Sequence, residues 1–460
     1  MVIRHHINLM IRYTIFFIAF SLLIFNCEDQ TNIEDGLCEL TDNNNTFESN
    51  TERFLRTYGD RNNNSGTYVL ELEEGGYIVG GNTYNHEQGN SYYWIMKTDA
   101  YGDSVWTKTT DDFGAFNSSM EPTSDGGYLI YGSTEDSNDD WDIIISKIGP
   151  EGNNEWIKTF GRNSDSEGAY IARETRDGGY ILGGYADDYE EINTYPYSAL
   201  YADAYIIKLN QNGNAEWEKK IRDNDFGYVY DIIEDQDGNF IAAGYTRFPK
   251  GFWLQNDGYL LKLDSDGNKI WSRWYASEEL SDDLDVDDKF KALKKSLDGG
   301  YILVGETNRL GWMLKTDLDG NPEWEYFHNG GGGDNDLSFT SVEQSSDGGY
   351  VVTCSRYNTR YGLYDDTWSD SDGLLIKVDG QGNLLWERTF GFFATDTTAF
   401  NSGWGIGQDH IRTVTETKDY GFIITGSTNS FDIEPFSLGN AFDVWLIKTD
   451  SEGNTVPYGD

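Results

Sequence analysis

The sequence predicts an all-β chain: a seven-bladed β-propeller of four-stranded antiparallel blades, with an N-terminal strand that completes the C-terminal blade. Three observations predict it. Two phrases recur seven times, the stretches between them read as short strands, and the two ends of the repeat are complementary fragments. The first phrase is D-G-G-Y or a close variant, followed four residues on by Gly. Its aromatic position holds Tyr77, Tyr128, Tyr180, Phe240, Tyr301, Tyr350 and Phe422. The second is Lys, with Gly five residues later, Asn or Asp at six and Trp at nine. Its lysines are Lys97, Lys147, Lys208, Lys262, Lys315, Lys377 and Lys448. Repeats of this length point to stacked supersecondary units.

Each copy predicts four strands, a to d. Gly-Tyr-Ile-Val-Gly-Gly and Tyr-Leu-Leu-Lys-Leu are short apolar runs bounded by turn residues, the pattern of buried strands. In the second copy strand a lies near 116–122, b near 127–132, c near 141–148 and d near 154–160. The D-G-G turn joins a to b. The K-x-D-x-x-G-N turn joins c to d, where Asp caps the bend and Gly supplies a positive φ. Four such strands every 49 to 72 residues make the sequence form of a propeller blade.

The ends predict how the ring closes. After Lys448 the chain reaches Gly453-Asn454, with Pro457 where Trp is due, so the last copy lacks a strand d. At the other end Phe54-Leu55-Arg56-Thr57-Tyr58-Gly59 matches Trp156-Ile157-Lys158-Thr159-Phe160-Gly161, a strand d with no a, b or c before it. Residues 52–58 are therefore expected to serve as the outer strand of the last blade, leaving no open edge.

These motifs resemble the D-G-G-Y/K-x-D-x-x-G-N-x-x-W propeller repeats of surface lipoproteins and secreted proteins from Bacteroidetes-type bacteria. The resemblance covers about residues 52–460. It implies the fold and leaves activity open, because propellers host unrelated functions.

Outside the repeat, residues 1–26 have a basic head (Arg4, His5, His6, Arg12) and an apolar core from Tyr13 to Phe25, the proportions of a signal peptide. The core ends at Cys27, and Glu28-Asp29 follow. This resembles a bacterial lipoprotein signal, with Cys27 as the lipidated residue and an outer-membrane address facing the exterior; simple secretion is the alternative. Residues 27–50 are polar and read as a flexible tether, and 51–460 as the propeller. The net charge is -45, and the loss of Arg4 and Arg12 with the signal would deepen it, which disfavours nucleic acid as a partner. Cys354 occupies a slot that is Gly in the other copies and reads as a small buried thiol. A bridge to Cys38 has no framework to support it.

Repeated residues are expected to be structural: Tyr and Trp packing between blades, and the repeated Lys with the Asp two residues later forming an ion pair or turn cap. Asp264-Ser265-Asp266-Gly267-Asn268 starts like a calcium loop, but Tyr275 stands where a bidentate Glu would be needed. No metal ligand set and no cofactor motif appears; calcium is the cation that the acidic run 278–288 would suit. The histidines His86, His328 and His410 are expected near one face, without ligand spacing.

Loop lengths separate scaffold from function. The a–b and c–d turns keep constant length, whereas the b–c and d–a connections vary and lie together on the opposite face. That face carries the candidate ligand-binding aromatics Tyr195, Tyr197, Trp253, Tyr361, Tyr364, Trp368 and Trp404, with Tyr185, Arg247 and Arg356 nearby. Rings beside carboxylates and amides suit a glycan or a protein ligand. No nucleophile elbow, phosphate loop or H-E-x-x-H motif is present. The expectation is thus a non-catalytic surface binding protein, attached to the membrane through its N-terminal lipid. A glycosidase-like polysaccharide-degrading enzyme and a scaffold subunit of an outer-membrane assembly are the alternatives.

Overall fold

The computed structural model describes residues 53–59, 62–85, 89–110, 116–135, 140–161, 166–187, 202–222, 226–250, 253–276, 287–330, 337–361, 367–391, 408–429 and 442–456. Among them are 28 strands and no helix, in seven four-stranded antiparallel sheets. Each sheet is one blade; in six of them the strands follow chain order outward from the axis, and in the seventh the outermost strand is the first of the chain. The inner strands a are Asn63–Glu71, Phe116–Pro122, Glu167–Glu174, Phe226–Glu234, Asp288–Lys295, Leu337–Gln344 and Asp409–Glu416. In blade 2 the next strands are Tyr128–Glu135, Trp141–Ile148 and Asn154–Phe160, so strand b runs three residues past its expected end.

The ring closes as the fragments require. Phe54–Tyr58 is the outer strand of blade 7, antiparallel to Asp443–Thr449, with Phe54 opposite Lys448. In the other six blades the repeated Lys lies opposite Trp106, Trp156, Trp217, Trp271, Trp324 or Trp386. Phe54 therefore fills the tryptophan slot of the last blade.

That slot faces the next blade. Trp156 meets Tyr180 at 5.5 Å, Trp217 meets Phe240 at 5.9 Å and Trp324 meets Tyr350 at 5.9 Å. Trp386 meets Phe422 at 6.0 Å, and Phe54 meets Tyr77 at 5.8 Å across the closing seam. Each such pair contributes about 0.5–1.5 kcal/mol beyond the area it buries. The apolar core accordingly lies between blades: one cluster joins Ile145 of blade 2, Ile206 of blade 3 and Leu261 of blade 4. Cys354 is a free thiol within another, fully buried.

The repeated lysines correct one expectation. Lys147, Lys208, Lys377 and Lys448 pair with Asp125, Asp177, Asp347 and Asp419, the acids of the D-G-G and D-Y-G turns; where an Asp stands two residues after the Lys, as Asp379 and Asp450 do, the Lys still pairs with the turn acid. Only one of the two offered roles of that later Asp holds, the turn cap. Asp379 accepts from the backbone N–H of Gln381 and Asn383, both at 2.9 Å. Asp264 accepts from Asp266 and Asn268 in the same way, which absorbs the calcium-like motif into turn chemistry. Lys and D-G-G Asp meet because the a–b hairpin end and strand c lie side by side; the later Asp points into its own turn.

A second staple links the blades. The last residue of strand a accepts from a backbone N–H in the D-G-G turn of the preceding blade. Glu174 takes Ser124 at 2.6 Å, Glu234 takes Arg176 at 2.8 Å, Gln344 takes Leu297 at 2.6 Å and Glu416 takes Ser346 at 2.8 Å. Glu71 takes Lys418 at 2.7 Å, so the staple also crosses the closing seam. Pro122 and Lys295 hold this position in blades 2 and 5 and cannot accept.

Candidate functional site

Every inner strand carries a β-bulge opposite the small-residue slot of strand b. Register breaks between Gly66 and Tyr68, Phe116 and Ser119, Ala169 and Ile171, and Val229 and Asp231. It breaks again between Phe290 and Ala292, Phe339 and Ser341, and Ile411 and Thr413. The bulge brings the two backbones together: a Cβ built on Gly184 or Gly244 would stand 1.8 Å from the carbonyl oxygen of Gly168 or Tyr228. Bulges re-aim side chains, and these turn one residue per blade into an axial cavity of about 1500 Å³. The ring so formed is Thr67, Ser118, Tyr170, Tyr230, Lys291, Thr340 and Arg412. Each lies ten residues before the repeated aromatic, a constant offset that the residue types at these positions do not reveal.

The ring is not symmetric. On blades 3 and 4, Tyr170 and Tyr230 stack with centroids 4.4 Å apart. Tyr185, Tyr228 and Tyr245 extend the cluster, the last two stacked at 4.7 Å. Lys289 sits 5.5 Å over the Tyr245 ring. Burial pushes the hydroxyls of Tyr170, Tyr230 and Tyr245 well up, so they remain protonated donors. Blades 6, 7, 1 and 2 face this wall with hydroxyls and amides, including Thr340, Ser427, Thr67 and Ser119. Among the described residues, Ser65 Oγ, Asn82 Oδ1 and Thr413 Oγ1 are buried in that lining with no hydrogen-bond partner in the chain.

Deeper down, charges are tied in pairs. Arg173 of blade 3 bridges Asp231 of blade 4 at 2.7 Å and Glu121 of blade 2 at 3.5 Å. Asp231 also accepts the backbone N–H of Leu293 at 2.8 Å, which fixes blade 5 to the same node. Burial raises the Glu121 carboxyl, against the pull of Arg173 and Lys294. Lys291 pairs with Glu306 at 3.0 Å, and Lys294 with Glu343 at 3.4 Å. His410 lines the cavity; burial, then Arg412, lower it to about 4, so it is neutral at ordinary pH.

Of the residues expected from sequence, Cys27, Cys38, Tyr195, Tyr197, Tyr364, Trp404, His86 and nearly all of the run 278–288 lie outside the described residues. Trp253 sits at the end of the hairpin Phe240–Lys250 with Trp253–Leu263, opposite Lys250. Tyr361 and Trp368 sit at the end of Tyr350–Tyr361 with Thr367–Val378, opposite Thr367 and Arg360. The sequence predicts loops here, and the segments are instead extended β-ribbons that continue past the point where strand d stops pairing. They rise from blades 4 and 6, with blade 5 between them in the ring. Arg356 is structural, since its guanidinium holds the buried carboxylate of Asp372 at 3.2 Å. The two described histidines are apart: His410 is on the axis, whereas His328 ends an outer strand beside Glu387 at 3.5 Å. Among the described residues no three His, Cys, Asp or Glu converge as metal ligands.

No family model and no curated protein matches the chain. Among solved structures it is similar to a protein of unknown function from Dyadobacter fermentans, at 10% identity, over 86% of this chain and 98% of that one, with a TM-score of 0.42. It is similar to a PL25 ulvan lyase bound to a -[GlcA(1-4)Rha3S]- chain, at 10% identity, over 86% and 97%, TM-score 0.46. A DUF4221 family member from Bacteroides vulgatus gives 10% identity, 87% and 99% coverage and a TM-score of 0.34. Likeness at this level says nothing about activity.

Proposed function

We propose that the chain is a non-catalytic surface binding protein that seats a glycan at the mouth of the axial cavity. One observation carries this reading: the Tyr170–Tyr230 stack stands across the cavity from a hydroxyl and amide wall that has open hydrogen-bonding atoms. Sugars present apolar ring faces to aromatics and a rim of hydroxyls to polar groups, and this pairing of walls suits both. In this reading the b–c hairpins of blades 4 and 6, which carry Trp253 and Trp368, extend the contact surface. In this reading Cys27 carries a lipid and residues 28–50 tether the ring outside the outer membrane.

Glycan-array binding followed by calorimetry on the purified full-length chain tests the site. Tyr170→Ala and Tyr230→Ala are each expected to weaken binding by about tenfold, the worth of one lost aromatic contact. Unchanged affinity in both would remove the site. Polysaccharide cleavage is kept as the second reading because of Glu121, a buried carboxyl raised in pKa beside the cavity. Release of new chain ends that disappears in Glu121→Gln would put it first. Replacing Cys27 by Ala is expected to move the protein out of the membrane fraction; retention there would dismiss the lipid anchor.

A further inference from the structure

The seam where the ring closes holds a second cavity. Its volume is about 680 Å³, within the range of about 300–1,000 Å³ usual for small-ligand sites. Blade 7 supplies Tyr58 and Val444 to the lining. Strands c and d of blade 1, Asn90–Thr98 and Ser104–Thr110, supply Trp94, Met96, Thr107 and Thr109. Asn64 lines both this groove and the axial cavity, so the two adjoin there.

The groove is open because blade 1 is cut back at two places. Thr107 and Thr109 of strand d stand opposite Met96 and Trp94 of strand c. At the same two places every other blade has at least one larger side chain. In blade 5 Phe327 stands opposite Trp312, and the two rings stack at 6.4 Å. In blade 4 Trp274 meets Tyr259 at 6.1 Å. Among the described residues no ring covers Trp94 in this way, and it keeps 6% exposure where Trp312 has none. Blade 1 thus has the aromatic floor of this arrangement without its cover.

The polar groups of the lining are held by the chain itself. The Tyr58 hydroxyl donates to the Gly102 carbonyl across the seam. Asn64 accepts the Thr83 hydroxyl and donates its Nδ2 to the Asn62 carbonyl at 3.0 Å. A ring and an amide are therefore in place before a ligand arrives, which lowers the ordering cost of binding. Charge sets the groove apart from the rest of the chain. The sequence has 79 acidic and 34 basic residues, yet the described residues that line the groove include no Asp, Glu, Lys, Arg or His. An ionic ligand would leave water here with no opposite charge to meet. A polyol exchanges its hydrogen bonds to water for bonds to hydroxyls and amides at little cost.

We propose that the seam groove is a second sugar subsite. It takes an uncharged pyranose unit, whose apolar face lies over Trp94 where blade 5 places Phe327, with its hydroxyls toward Thr107, Thr109 and Asn64. The proposal rests on the glycan-binding reading and adds to it a second place and the charge class of the sugar held there.

The test is calorimetry of the full-length chain against neutral gluco-, manno- and galacto-oligosaccharides, with oligogalacturonides as the charged control. At least one neutral probe should bind. Tyr92→Ala, which removes a half-buried ring of the lining, should weaken that binding about tenfold. In a Tyr170→Ala background, Thr109→Phe should abolish the binding that remains, because it fills the place over Trp94, whereas Thr109→Ser should keep it. Strand d of blade 5 already carries phenylalanine at this place, and thermal unfolding checks that the variants fold. Hydrogen exchange should slow on binding in Phe54–Tyr58 and Asp443–Thr449, the strands that meet at the seam. If Thr109→Phe leaves every bound probe at its original affinity, the seam subsite falls and the axial site stands. If Tyr170→Ala and Tyr230→Ala have no effect while Thr109→Phe abolishes binding, the axial site falls and the seam subsite stands. If oligogalacturonides bind as tightly as the neutral probes and lose that binding in Thr109→Phe, the charge class falls. If no probe binds, both readings fall together.

Discussion

Tyr420 stands where the D-G-G turns of the other blades have glycine, and its φ is 65°. The side chain is exposed, so no packing offsets the strain of a left-handed tyrosine. Tyr420→Gly is expected to stabilise the fold by about 0.5–1 kcal/mol, read as a higher denaturation midpoint. A lower midpoint would show that the ring makes a contact worth more than the strain. The small-residue slot works in the opposite sense. At Gly184 and Gly244 a side chain would collide with the carbonyl of the bulged strand, whereas in blade 6 the same slot admits Cys354. In the sequence these glycines are marked only by their constant place four residues after the repeated aromatic. Their purpose is visible only once strand a is seen to bulge against them.

At the scale of the hairpin, the pairing of a buried Lys with a D-G-G acid predicts behaviour in acid. Lys147 is 3% exposed and Lys208 5%, so each depends on its carboxylate partners. Burial raises Asp125 and Asp177, but hydrogen bonds from Thr123 and Thr175 and from the lysines outweigh it and bring both carboxyls down to about 2. A carboxyl lower in the folded than in the unfolded state contributes stability above its ordinary value of 3.8, and loses it as pH falls toward 2. Asp125→Asn should therefore lower the thermal midpoint near neutral pH, with the deficit narrowing between about pH 4 and pH 2. A deficit that stayed constant across that window would mean that the pair is not what the acid titrates. The sequence showed that Lys and Asp recur together. Which Asp faces the Lys depended on the lateral pairing of hairpin end and strand c.

Over the whole ring, closure rests on one short strand. Phe54–Tyr58 hydrogen-bonds to Asp443–Thr449, its Phe54 contacts Tyr77, and the Glu71 staple crosses the same seam. Phe54→Ala is expected to cost about 3 kcal/mol, in the range for a buried aromatic cut to Ala, and to lower the thermal midpoint clearly. A chain beginning after Gly59 would leave strand Asp443–Thr449 as a free edge and should self-associate in size-exclusion chromatography. A monomeric truncated chain with an unchanged midpoint would mean that the ring is held shut by its core alone.

Blade number, strand order, turn chemistry and the closing strand were all determined by the sequence alone. They follow from local period and register, which repeat within each 49 to 72 residues. The tertiary structure alone decided what meets on the axis. Tyr170 and Tyr230 are sixty residues apart in the chain and stack at 4.4 Å. Arg173 joins carboxylates from two flanking blades. Such contacts depend on seven inner strands converging at once and on a bulge that turns one residue of each toward the centre. The repeat specifies where those seven positions fall, and only the closed ring makes them a site.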